Sequence, residues 1–108
     1  MIKKQNLFEA QDGNSNLESF DYQITDGSHH IIKEYEGLLY PEMHTDVLQE
    51  DCKSILFIRN GSGIVEYDKR SINVEKGDRL EIIPDLEYRL VNTSDTQNLE
   101  FQIFCVGD

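Results

Sequence analysis

Ser54-Ile55-Leu56-Phe57-Ile58-Arg59-Asn60-Gly61-Ser62-Gly63-Ile64-Val65-Glu66-Tyr67 is the stretch on which the architecture turns. The uncharged run from Ser54 to Ile58 has the length of a strand and falls short of a helix, and its apolar continuity points to a strand buried on both faces. Asn60-Gly61-Ser62-Gly63 breaks it and Ile64 to Tyr67 resumes it, the pattern of two strands joined by a glycine turn. Gly61 and Gly63 suit places where the backbone needs a positive φ or leaves no room for a side chain.

Working outward, period-two segments continue in both directions. Downstream, Asp68-Lys69 turns the chain into Ser71 to Val74, and Glu75-Lys76-Gly77-Asp78 turns it again into Arg79 to Ile83. Tyr88 to Val91 and Leu99 to Val106 follow. Upstream, His30 to Tyr35 forms a strand, and a polar connection from Thr45 to Lys53 holds a short strand at Val47-Leu48. Phe20, Tyr22 and Ile24 alternate with Asp21 and Gln23. The polar cluster from Gln11 to Asn16 sets off residues 1–16 as an N-terminal arm, with Leu7 and Phe8 as its apolar anchors, from a domain over residues 17–108. Roughly eight short strands with turn signals between them and no long helical pattern predict an all-β antiparallel sandwich or barrel.

Charge and composition narrow the partners. The 108 residues carry 10 Lys and Arg against 21 Asp and Glu, a formal charge of −11, so the surface repels a phosphate backbone and nucleic acid is excluded as a partner. No apolar run approaches the roughly 20 residues of a membrane span. The charged start, Met1 to Asn6, leads into no apolar signal region, so a cytoplasmic protein is the expectation. Cys105 sits in an alternating apolar run and Cys52 in an acidic one, so two reduced thiols are expected.

Two segments resemble the motifs of the cupin family. Ser54 to Gly63 is similar to the end of its first motif, and Gly77-Asp78 with Ile82-Ile83-Pro84 to the start of its second. Tyr88, eleven positions after Gly77, and Asn92, fifteen after it, fall at the places of the second motif's histidine and asparagine. The proline stands one position late, and Asp85-Leu86-Glu87 replaces the family's next glycine. The resemblance implies a jelly-roll cupin barrel, an antiparallel double-stranded β-helix, commonly a homodimer, with a ligand cavity inside.

Metal-dependent cupins take His-x-His and Glu from the first motif and His from the second. Counted back from Gly61, the glutamate place falls on Ser54, and the two histidine places on Val47 and Gln49 or, with a shorter spacing, on Leu48 and Glu50. Tyr88 holds the last place, so no cofactor is expected. An alternative registration offers His44, Asp46 and Glu50 as displaced ligands of a divalent metal, which needs their donors to converge. His29 and His30 are adjacent and point to opposite faces of a strand, so they cannot chelate one ion together.

Alternation with Ser54 and Tyr88 facing inward puts Leu56, Ile58, Leu90 and Phe101 on the same interior surface, with Leu80, Ile82, Leu86, Leu99 and Ile103 as further wall. Arg59, Arg79 and Arg89 have the opposite parity, which disfavours a phosphate-rich substrate. An apolar wall with a few hydroxyls suits a small molecule bound in the barrel through Ser54, Tyr88, Leu56, Ile58, Leu90 and Phe101, without metal. The same composition also suits a filled barrel serving as a structural or partner-binding dimeric subunit. The third reading is a metal-dependent isomerase or dioxygenase built on His44, Asp46 and Glu50. No residue set marks the chain as an enzyme.

Overall fold

The computed structural model describes residues 2–6 and 30–107. Its strands are β1 (Ile2–Asn6), β2 (His30–Leu39), β3 (Lys53–Asn60), β4 (Ser62–Tyr67), β5 (Arg70–Glu75), β6 (Asp78–Ile82), β7 (Arg89–Val91) and β8 (Leu99–Gly107). They form two antiparallel sheets, one of five strands in the order β1-β6-β3-β8-β2 and one of three in the order β5-β4-β7. From β3 onward the chain alternates between the sheets, leaving the large one for β4 and β5, returning for β6, leaving for β7 and returning for β8. That alternation is the jelly-roll expected from the turn spacing, and no helix occurs among the described residues.

Turn chemistry sets the crossings. Gly61, with φ of 88°, is the whole turn between β3 and β4, and a Cβ there would stand 2.3 Å from the carbonyl oxygen of Asn98. An alanine is thus opposed both by the left-handed backbone and by the neighbouring chain. Asp68 and Lys69 both have positive φ and join Tyr67 to its partner Arg70, the two-residue hairpin in which both central residues are left-handed. Between β5 and β6 the Asp78 carboxylate accepts from the Glu75 amide at 2.7 Å, and the Gly77 amide donates to Ile58.

The interior lies between the sheets. Leu56 is paired with Leu80 on one side and Ile103 on the other, and Ser54 with Ile82 and Cys105, so one rung follows another across the large sheet. Leu56, Ile58, Leu80, Ile82, Leu99, Phe101 and Ile103 meet Val65, Val74, Tyr88 and Leu90 from the small sheet in one buried cluster. Full burial of a leucine such as Leu56 is worth about 1.5–3 kcal/mol. Ile55 and Phe57 of β3 point the other way and are buried with Phe104 and Val106 of β8 in a second cluster. Both faces of these two central strands are therefore covered, which is why Ser54 to Ile58 reads as a continuous apolar run rather than an alternating one.

Two expectations meet the structure differently. Ile2–Asn6, read as part of an arm, pairs residue by residue with β6 and forms an edge of the large sheet. Its polar, lysine-bearing sequence is what an edge strand tolerates, and it carries no buried-strand pattern. Cys52 and Cys105, expected as free thiols, are joined as a disulfide, with Cα atoms 5.8 Å apart. Cys52 lies two residues before Ser54, and Ser54 faces Cys105 directly, so a diagonal across two paired strands brings the sulfurs together over 53 positions of sequence. The boundary at residue 16 and the expectations for Leu7, Phe8, Phe20, Tyr22, Ile24 and His29 lie outside the described residues. No helix of the described residues is long and apolar enough to cross a membrane.

Candidate functional site

Backbone hydrogen bonds bring the connection before β3 into the small sheet. Leu48 donates to the Tyr88 carbonyl at 2.7 Å and accepts from the Tyr88 amide at 3.0 Å, and Thr45 donates to Leu90 at 2.9 Å. Thr45 Oγ1 accepts from the Leu90 amide as well. Residues 44–48 thus run alongside β7, and the side chains of Thr45, Leu48 and Glu50 are carried towards the large sheet.

Together with Tyr35 and Glu36 of β2, Tyr88, and Phe101 and Ile103 of β8, they line a cavity of about 390 Å³. That is within the usual size of a small-molecule site. Its floor is apolar, made of Leu48, Phe101 and Ile103. Phe101 lies over Gly37, its opposite on β2, where a Cβ would stand 2.1 Å from the ring. Its polar side is Glu50, whose carboxylate accepts from Tyr35 Oη at 3.2 Å and from Lys33 Nζ at 3.3 Å. The hydrogen bond and the charge of Glu50 raise the Lys33 ammonium above its ordinary pKa.

Tyr88 has the most unusual surroundings. It is 2% exposed, and its hydroxyl is buried with no hydrogen-bond partner. Burial, followed by the charges of Glu50 and Tyr35, pushes its pKa well above that of an ordinary tyrosine. It therefore stays a protonated phenol with an unspent donor, on a side chain that lines the cavity. Four residues on, at the other end of β7, Asn92 is as deeply buried but fully paired. Its amide nitrogen donates to the carbonyls of Leu39, Tyr40 and Gln97 at 2.8–3.1 Å, and its oxygen accepts from the Ser94 amide.

Of the residues expected to form the pocket, Tyr88 and Phe101 line this cavity, while Ser54, Leu56, Ile58 and Leu90 are fully buried beneath it in the interior. Among the displaced metal ligands, Glu50 lines the cavity, but His44 and Asp46 are exposed on the outer side of the connection, and His44 Nδ1 lies against the Thr45 carbonyl. The three do not form a cluster. A break in alternation explains this: Thr45, Leu48 and Glu50 are half-buried while His44, Asp46, Val47 and Gln49 are exposed, so the parity shifts between Thr45 and Leu48 and leaves His44 and Asp46 on the outer side. Leu48 and Glu50, the places given by the shorter spacing, are the ones that line the cavity. The four ligand places of the metal-dependent pattern hold Leu48, Glu50, Ser54 and Tyr88. One carboxylate, a hydroxyl and a neutral phenol do not fit the imidazole-rich site of that pattern. Tyr35, a candidate polar point of the pocket from the sequence, does line the cavity, while Lys33 went unrecognised because only the β2–β8 register places it opposite Cys105. Arg79 pairs with Glu81 and Arg89 with Glu66, outside the cavity as their parity predicts. A larger depression of about 590 Å³ beside the β4–β5 hairpin is open to solvent and walled by charged side chains such as Asp68, Lys69 and Arg70.

No protein-family model matches the chain, and no curated protein matches it. Solved structures do. A protein of Photorhabdus luminescens is 18% identical, with a TM-score of 0.60 over 69% of this chain and 61% of that one. A cupin protein of Bacteroides fragilis is 23% identical, with a TM-score of 0.61 over 66% of this chain, and again only 61% of the relative's length is spanned. A predicted oxalate decarboxylase of Thermotoga maritima is 13% identical, with a TM-score of 0.61 over 95% of this chain and 77% of the other. Two antiparallel sheets crossed in alternation, the glycine turns at Gly61 and Gly77, and these likenesses agree: the chain has the fold of the cupin superfamily.

Proposed function

We propose that this protein binds a small hydroxylated ring compound in the cavity between its sheets, and does so without the metal of the metal-dependent cupins. The observation that carries this reading is the Tyr88 hydroxyl. Leaving a buried hydroxyl unpaired costs about 1–3 kcal/mol, and a ligand oxygen in the cavity removes that cost. Tyr88 then donates to a ligand ether, carbonyl or hydroxyl oxygen, and Glu50 accepts from a ligand hydroxyl. Leu48, Phe101 and Ile103 cover the apolar ring face. The Glu50 carboxylate and the net charge of −11 disfavour di-anions. For the same reason, and because Leu48 and Tyr88 stand in place of two histidines, the decarboxylase activity in the name of the Thermotoga relative is not carried over.

Methyl glycosides and simple phenols are the probes to use, screened by thermal shift at millimolar concentration. A rise in Tm with wild type that is lost in Tyr88→Phe is the expected result. No shift with any probe, or an equal shift in the variant, rules the reading out. The homodimer implied by the family resemblance is part of the same proposal, and sedimentation velocity tests it.

A further inference from the structure

Glu50 does more than line the cavity. One of its carboxylate oxygens and the sulfurs of Cys52 and Cys105 all lie within 4.8 Å of one another. Cys52, one residue before β3, and Cys105 on the paired strand β8 have their Cα atoms 5.8 Å apart. Two thiolates on one tetrahedral zinc, each bond about 2.3 Å, stand about 3.8 Å apart, which this backbone separation also permits. Each Glu50 oxygen uses one lone pair, towards Tyr35 or towards Lys33, and keeps another.

We propose that the reduced Cys52–Cys105 pair and Glu50 form a site for a thiophilic divalent cation of the zinc class, with its fourth position open towards the cavity. Two soft sulfurs select such an ion over magnesium or calcium. Disulfide and cation are alternative occupants of one place. Reduction by a trialkylphosphine and water breaks the S–S bond to give two thiols and the phosphine oxide, and the cation then displaces the two thiol protons. Lys33 opposes the ion, because it holds a positive charge against the same carboxylate. The site shares Glu50 with the Tyr88 reading but none of its sulfurs, so a cobalt titration and a probe screen fail independently.

Cobalt(II) titration of the phosphine-reduced, metal-stripped protein tests the proposal by absorption spectroscopy. The expected result is one cobalt per chain, with a thiolate-to-cobalt charge-transfer band and tetrahedral d–d bands, both missing from the oxidised protein and from Cys52→Ser. Glu50→Gln weakens binding at least about ten-fold, and Lys33→Met strengthens it. Neither of these variants removes a core side chain, so folding does not confound them. Absence of the charge-transfer band from the reduced wild type, or equal affinity in Glu50→Gln, overturns the proposal.

Discussion

Tyr88 and Asn92 flank the three residues of β7, face the same interior and are equally hidden from solvent, yet one makes no side-chain hydrogen bond and the other satisfies both ends of its amide. The difference separates scaffold from site. Asn92 ties the end of β2, the turn before β8 and its own loop to one point, and all its partners are backbone groups. Tyr88 stands where the sheets part, beside a cavity and a carboxylate, and nothing in the fold answers its hydroxyl. A buried polar group with all partners made is architecture, and one with none is a request for a ligand.

The largest effect that could break this contrast belongs to Asn92→Ala. Three carbonyls lose a donor at once, so stability measured by urea unfolding should fall by about 3 kcal/mol or more. A loss under about 1 kcal/mol would mean that water replaces the amide and that Asn92 is no hub. Tyr88→Phe sharpens the contrast from the other side. No hydrogen bond is lost and the unpaired hydroxyl is removed, so unfolding free energy should rise by about 1–3 kcal/mol while probe binding disappears.

Alkaline titration adds the sign. The Tyr88 pKa is raised in the folded protein, so its contribution to stability is whole below the ordinary tyrosine pKa of about 10 and is lost as pH climbs through the higher folded value. Phenolate absorbance should therefore show Tyr88 ionising above the ordinary tyrosine range, and wild type losing stability above pH of about 10 more steeply than Tyr88→Phe. Equal slopes would count against its burial. The smallest expected change is in the β4–β5 hairpin, where Lys69→Gly relieves a left-handed φ of 60° and should add about 0.5–1 kcal/mol. Unchanged affinity in that variant would show that the hairpin's open groove is not the binding site.

Much of the scaffold was legible because it rests on local rules. Gly61 and Gly77 announce left-handed turns, alternation assigns Leu56, Leu80 and Ile103 to one face, and the places of Tyr88 and Asn92 follow by counting from Gly77. The site was legible only where those rules reached, at Tyr35, Tyr88 and Phe101. Glu50 drew notice for its spacing from His44, but its actual neighbours come from β2 and β8, more than ten positions away in sequence. The disulfide was hidden for the same reason. Cys52 stands among acidic residues, and only the β3–β8 register reveals that it lies diagonally from Cys105. Long-range pairing, not local propensity, decides these contacts.

Phe101 rests against a residue that has no side chain, and this makes Gly37 a gauge of cavity size. Any group added at position 37 must push the aromatic ring aside, and the ring is one wall of the chamber. The room offered to a ligand is thus set by a backbone position that touches none of the polar groups, so size preference and hydrogen-bonding preference can drift separately in descendants of this chain.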